Sequence, residues 1–399
     1  MQTAVIVDAV RSPMAKGRAP KGDRPGGALS GLHPVELLAQ TLKALVERND
    51  FDPAEVDDVI MGCVSQVSEQ AGPVGRWAWL GAGLPEHVPA TTVDRRCGSS
   101  QQAVDFGAMG IMTGVYDIVV AGGVESMSRV PMFTARMGND PIGPSVTERY
   151  APGLVPQGIS AELIAQKWGL DRHELDVFSA RSHQAASAAD LSREIVPITV
   201  PGNGSGPQVV ETDETPRPST TVEGLGELKP AFDAPEWDER FPDLDWKITA
   251  GNSSQLTDGA SAMLLMSEER ASQLGLEPRA RIHAMAVASA DPILMLTGPI
   301  PATEKVLKKS GMSIDDFDHY EVNEAFAPVP LAWRQHFDAE LEKLNPRGGA
   351  IALGHPLGAS GTRLMTTMLH GLEATGGRWG LQTMCEAGGM ANATIIERL

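Results

Sequence analysis

Cysteine is scarce in this chain, with three residues (Cys63, Cys97, Cys385) among 399. That is too few for a disulfide framework, and with no CxxC pair there is no zinc signature. Free thiols fit a reducing compartment. Basic charge is also in short supply: 33 Lys and Arg stand against 51 Asp and Glu, leaving a net charge of −18. A nucleic-acid surface needs clustered Lys and Arg, so that partner is excluded, although a few local basic residues would serve a phosphorylated small ligand. No run reaches the ~20 apolar residues that cross a bilayer. The opening MQTAVIVDAVRS has a short apolar run with no basic region before it, and enters a strand pattern at once, unlike a signal or transit peptide. The nine histidines lack ligand spacing, and His173 and His183 read as part of a solvated helix face, so no metal is expected. The expectation is a cytoplasmic protein without membrane or nucleic-acid partners.

What remains is ordinary globular composition, 42% hydrophobic, long enough for two or three packed units. AVIVDAV (4–10) reads as a buried strand and HPVELLAQTLKALVER (33–48) as an amphipathic helix. DDVIMGCV (57–64) and YDIVVAGG (116–123) are again strands, with a helix over 99–114 between them. Such alternation predicts an α/β fold with a largely parallel sheet covered by helices. The chain also repeats itself. DPAEVDDVIMGCVS (52–65) matches SIDDFDHYEVNEAF (313–326) at an offset of 261, with Asp57 or Asp318 opening a strand. Each copy leads to a glycine-serine-rich turn, carrying Cys97 in one and His355 in the other. Two related α/β halves are expected, residues 1–124 with 246–275 and residues 276–399. Between them, 125–245 is rich in Pro, Gly, Met and acidic residues, and includes the polar stretch PGNGSGPQVVETDETPRPST. A segment this long is not structureless inside a compact protein, so it is read as an inserted loop domain that carries binding residues.

DRRCGSSQQA sets Cys97 just before a helix, whose first-turn N–H groups and dipole lower a thiol pKa. The bland reading is a buried Cys acting as a small hydrophobe, weakened by the polar neighbours Asp94, Arg95, Arg96, Ser99 and Ser100. His355 lies in GGAIALGHPLGASGTRL, at the equivalent turn of the other half. If a pseudo-twofold axis relates the halves the two turns meet, and His355 takes the Cys97 proton. Cys385, in LQTMCEAGGMA, closes a strand before glycines and suits a second acid/base, with a core Cys as the plain alternative. The EAGG turn can aim backbone N–H groups at a developing oxyanion. Asn323 ends an apolar strand, where open α/β sheets hold ligands; it either positions a water or an oxyanion, or caps a turn.

DRRCGSSQQA, VNEAFA, GGAIALGHPLGASG and CEAGGMANA, in that order, resemble the thiolase family, and the resemblance runs from VIVDAVRSP to the last strand. It implies thiolytic cleavage of a 3-ketoacyl-CoA by CoA through an acyl-Cys97 intermediate, with His355 as base and Cys385 as second acid/base. It implies one oxyanion site at His355 and an Asn323-held water, and another at the backbone N–H groups of Cys97 and Ala387. Ser254 in TAGNSS would touch the pantetheine arm, Arg217 would lie near the nucleotide end, and Phe326 would line the acyl pocket. Coenzyme A is then a co-substrate, with no permanently bound cofactor, and the assembly a homodimer or homotetramer. Pro156 and Gln157 stand where short-chain biosynthetic members carry His-Met, which favours a degradative enzyme. Ala387 replaces a usual glycine, and would be strained if that position needs positive φ. Pro346 and Arg347 alter a loop near the base. The alternatives are a biosynthetic acetoacetyl-CoA thiolase, a decarboxylating ketoacyl synthase, and a silent acyl-CoA- or lipid-binding protein. Cys385 stands against the synthase, and the intact set Cys97, His355 and Cys385 against the silent binder.

Overall fold

The computed structural model describes residues 2–202 and 206–399; residues 203–205 of the polar stretch lie outside the described residues. The first half runs β1 (Ala4–Arg11), β2 (Ala15–Lys16), α1 (Pro34–Glu47), β3 (Asp58–Gly62), α2 (Val74–Gly81), β4 (Ala90–Val93), α3 (Ser99–Met112) and β5 (Ile118–Ser126). The inserted segment carries α4 (Pro144–Arg149), α5 (Gln157–Lys167), α6 (Arg172–Ala188), the antiparallel pair β6 (Ile198–Val200) and β7 (Gln208–Val210), α7 (Val222–Gly226) and α8 (Pro235–Arg240). Then follow β8 (Thr257–Ser267), α9 (Glu268–Leu274), β9 (Ala280–Ser289), α10 (Pro299–Ser310), β10 (His319–Val322), α11 (Pro328–Phe337), α12 (Ala350–Leu353), α13 (Ser360–Thr375), β11 (Trp379–Glu386) and β12 (Met390–Arg398).

One sheet runs β10-β11-β12-β9-β1-β8-β5-β3-β4, with β2 on β8. Its order mirrors itself about the β1–β9 junction, which consists of two residue pairs, Val5 with Arg281 and Ile6 with Ala280. The sheet is mixed rather than largely parallel. β3 is parallel to β4 and β5, and β10 to β11, through helical crossovers. β8, returning after the insertion, enters antiparallel between β1 and β5. The turn Ala387, Gly388, Gly389 is too short for a crossover and forces β12 back antiparallel along β11.

The repeat is visible in hydrogen bonds. Asp57 Oδ2 accepts from the N–H groups of Asp117 and Ile118 (2.7 and 3.0 Å). Asp318 Oδ2 accepts from Arg378 and Trp379, 261 positions on, at the same two distances. In each half one carboxylate ties the start of a strand to the start of its parallel neighbour.

Strand alternation splits the core. Val5, Val7 and Val10 of β1 face an outer core with α1 and α2, while Ala4, Ile6 and Ala9 face a central core with α3 and α13. The change of parity between residues 7 and 9 follows from the irregularity in register between Ile6 and Asp8. α5 and α6 of the insertion pack instead on the outer core of the second half, through Ile164, Leu175 and Phe178 beside Tyr320 and Trp333. Among the described residues no helix is long and apolar enough to cross a membrane.

Candidate active site

α3 and α13 start 261 positions apart and meet at their N-terminal ends, Thr362 N–H donating to Ser100 Oγ at 2.9 Å. The close approach explains the glycines around His355. A methyl group on Gly358 would come within 2.6 Å of Val124 O and 2.7 Å of Cys63 Cα. One on Gly62 would come within 2.5 Å of Ser100 N and 2.6 Å of Gly358 O. Backbone from the two halves crosses here, and only glycine leaves room.

The turns at this crossing carry the sequence candidates. Cys97 is buried between Leu364 and Met384, next to the start of α3. Arg96 before it holds φ +50°, bending the chain sharply into the helix. The expectation of a lowered thiol pKa does not hold. Burial pushes the Cys97 thiol well above its usual range, Cys385 and Glu386 push the same way, and the backbone N–H groups of Cys97 and Ala387 only partly oppose them.

His355 is buried, and burial followed by the nearby Arg363 guanidinium pushes its pKa down to about 3, so the ring is neutral. Its Nδ1 lies 2.6 Å from Ser360 Oγ, and Ser360 Oγ donates to Pro356 O at 2.8 Å. A hydroxyl has one proton, so with that proton on Pro356 O the ring must donate from Nδ1, leaving the Nε2 lone pair free. Asn323 Nδ2 sits 3.5 Å from this Nε2 and 3.6 Å from Cys385 Sγ, linking the histidine to the second thiol. Asn323 Oδ1 is buried without a partner among the described residues. Cys385 is pushed up to about 11, chiefly by burial. The arrangement is a neutral base, two neutral thiols and a bridging amide, with the N–H groups of Cys97 and Ala387 as a separate pair of donors. Ala387 is unstrained, because the left-handed positions of its turn are Gly388 and Gly389.

The outlying candidates gather around this centre. Phe326 packs edge-on against Phe232, centroids 6.0 Å apart, next to the Ser253–Phe326 bridge. Ser254 N–H donates to Ala325 O at 2.9 Å. Arg217 lines a cleft of about 160 Å³ with His183, Thr220, Leu225, Leu228, Ala250, Gly251, Gln255 and Ile351. Gln255 connects it to the base, accepting from Arg217 Nη2 (3.1 Å) on its side chain and from His355 N–H (3.2 Å) on its backbone oxygen. His183 is not on a solvated face as expected. It is buried, its Nδ1 accepts from Arg217 N–H at 3.1 Å, and burial pushes it down to about 4.

Sequence reasoning passed over Ser360 and Glu125. Ser360 orients the base, and its signal was its place five residues after His355 in a turn where small residues suffice. Glu125 accepts from Val64, Ser65 and Gly358 N–H and from Gln70 Nε2 at 2.9–3.0 Å, tying the segment after β3 to the His355 turn. Its signal was a lone acid in the apolar strand IVVAGGVES.

Comparisons with known proteins bear on the lineage of the whole chain. The family description "Thiolase, N-terminal domain" matches residues 4–269, and "Thiolase, C-terminal domain" matches 276–398. The steroid 3-ketoacyl-CoA thiolase FadA6 of Mycobacterium tuberculosis is 48% identical, over 100% of this chain and 95% of that protein. A 3-ketoacyl-CoA thiolase of Vibrio vulnificus is 43% identical over 100% of both chains. The crystal structure of the Bacillus anthracis acetyl-CoA acetyltransferase superposes with TM-score 0.87 at 38% identity, covering 100% of this chain and 99% of that one. The two family descriptions cover both halves and the relatives match over the full length, so the chain is a member of the thiolase family.

Proposed function

We propose that the protein cleaves 3-ketoacyl-CoA with CoA, releasing acetyl-CoA and an acyl-CoA two carbons shorter. The observation that carries this reading is the neutral His355, its free Nε2 lone pair set beside Asn323 and Cys385. Cys97 is a thiol at rest, so its proton passes to His355 Nε2 as the sulfur attacks the 3-keto carbon. The resulting imidazolium and an Asn323-held water stabilise one oxyanion, and the Cys97 and Ala387 N–H groups the other. The C2–C3 bond breaks and its electron pair becomes the acetyl-CoA enolate, which takes the Cys385 proton. Incoming CoA returns a proton to Cys385 and attacks acyl-Cys97. The departing Cys97 thiolate recovers its proton from His355.

Coenzyme A is the co-substrate, gripped by the insertion taken as 125–245 against residues 246–275, with no resident cofactor. Its arm runs past Ser254 and the cleft below Leu225 and Leu228, with Arg217 near the anionic end. Phe326 and Phe232 wall the acyl side. Gln157 opens α5 with Pro156 as its cap, which supports a degradative over a biosynthetic role. The three free thiols suit the cytoplasm. A homodimer forms through the open edge of β4, beside the exposed Trp77, Phe106 and Met109, and a dimer of dimers would extend it. Incubation with 3-ketoacyl-CoAs and CoA should release acetyl-CoA in step with CoA consumed. The name of the 48% identical relative makes a ring-bearing ketoacyl-CoA the bulky substrate to include. Acetyl-CoA release from no substrate would refute the reading.

A further inference from the structure

β5 and β11 occupy matching places in the two halves and each carries a buried glutamate at its end, Glu125 and Glu386, 261 positions apart. Their surroundings differ. Glu125 accepts four hydrogen bonds, one from Gly358 N–H, the counterpart of Cys97 N–H. Among the described residues neither oxygen of Glu386 has a hydrogen-bond partner. Its carboxyl packs against Gly98, directly after Cys97, where a methyl group would overlap both Glu386 Oε1 and Asn392 Oδ1. Asn392 Oδ1 likewise has no partner among the described residues. The Asn392 amide is oriented by its donor side, Nδ2 reaching Gln102 Oε1 (3.1 Å) and Asp105 Oδ2 (3.3 Å). A flip would set Oδ1 against Asp105, which also accepts from Thr394 Oγ1 at 2.9 Å. Two buried acceptor oxygens that face the same spot beside Gly98 repel each other, and a proton on the carboxyl turns that repulsion into a hydrogen bond.

We infer that Glu386 stands as a neutral carboxylic acid behind the Cys97 turn, sharing its proton with Asn392 Oδ1, and that this neutrality lets Cys97 and Cys385 take up negative charge in turn. The proposal rests on the acyl-transfer reading above. The groups facing Glu386 are Arg95 and Asp94 from the loop before Cys97, Asp105 from α3, the two thiols, and the backbone N–H of Asn392, which is not in hydrogen-bonding geometry. Arg95 and that N–H favour the ionised form, but burial first, then Asp105 and Asp94, push the acid up to about 9. Asp105, better supplied with donors, rises only to about 7. Between about pH 7 and pH 9 the pair thus holds one charge and one proton, with the proton on the member next to the sulfurs. An ionised Glu386 would oppose a thiolate at either cysteine. Glu386 is a positioning residue, and no bond to substrate forms at it.

The infrared difference spectrum of wild type minus E386Q near neutral pH, in which the signal of Asp105 common to both proteins cancels, should show the C=O stretch of a buried protonated carboxyl as a wild-type band. In the wild type this band should fade as pH rises through about 9. The pH dependence of Cys97 alkylation by iodoacetamide, read from peptide masses, reports the role. The wild-type rate should flatten where Glu386 ionises, while E386Q continues to climb and ends several-fold faster. A wild type without the band at neutral pH overturns the protonation, and superimposable alkylation profiles overturn the positioning role. Both readouts are independent of turnover, so an enzyme that cleaves no ketoacyl-CoA would refute the proposed function without deciding the state of Glu386.

Discussion

The two halves share one frame and divide its chemistry. Counting 261 positions on, Gly62 corresponds to Asn323, Cys97 to Gly358, Val124 to Cys385 and Asp94 to His355. In the first three pairs, one half places a reactive or polar group where the other has glycine or valine. The crossing of Gly62 and Gly358 shows why, because backbone fills the space a second side chain would need. Function here is an asymmetry imposed on a symmetric scaffold. The glutamates follow the same rule: Glu125 is surrounded by donors and holds the His355 turn to the segment after β3, and Glu386, beside the thiols, has no hydrogen-bond partner among the described residues.

Removing the reactive member of a pair should have the largest effect. Cys97→Ala should lower kcat by at least about 10⁴-fold with substrate binding retained, as expected when one member of an interdependent set is lost; single-turnover kinetics would check this. His355→Ala should lower kcat/KM by roughly 10²–10⁴-fold, the usual contribution of a general base. The glutamate pair sharpens the comparison in stability rather than rate. Glu125→Gln turns an amide NH₂ toward donors that now face a carboxylate, and should destabilise by about 2–3 kcal/mol in denaturant titrations. Glu386→Gln replaces one neutral group with another. Because the folded-state pKa of Glu386 is raised to about 9, its folded form holds a proton that the unfolded chain releases above about 4.5. Wild-type stability therefore carries a falling contribution from about pH 4.5 to 9, of up to about 1.4 kcal/mol per pH unit. Glu386→Gln should lack that slope and gain on the wild type as pH rises. The smallest effect belongs to Ser360→Ala, which frees His355 Nδ1 and should lower kcat/KM about five- to tenfold, the equivalent of one hydrogen bond.

Much of the frame was legible because it rests on local pattern. Asp57 and Asp318 were visible as strand openers, since one acid before an apolar run needs no long-range knowledge. α3 fell within the expected 99–114, ending at Met112. Strand direction was not legible, because alternation of strand and helix says nothing of a strand that returns from a long insertion, as β8 does. His183 misled because helical spacing does not reveal that α6 also packs against a loop of the insertion through Arg217. The thiol state of Cys97 misled too: the helix start is readable in DRRCGSS, but the burial that outweighs it comes from Leu364 and Met384 of the other half. Glu386 stood beside a candidate cysteine, and what marks it is that it has no hydrogen-bond partner among the described residues, a property of the folded chain alone.

The most direct test of the account is the mass of the protein after mixing with a 3-ketoacyl-CoA in the absence of free CoA. The predicted result is an acyl group on the Cys97 peptide, with one equivalent of acetyl-CoA released and no adduct in Cys97→Ala. An adduct on Cys385 instead, or acetyl-CoA released without any adduct, would contradict the division of labour between the two halves.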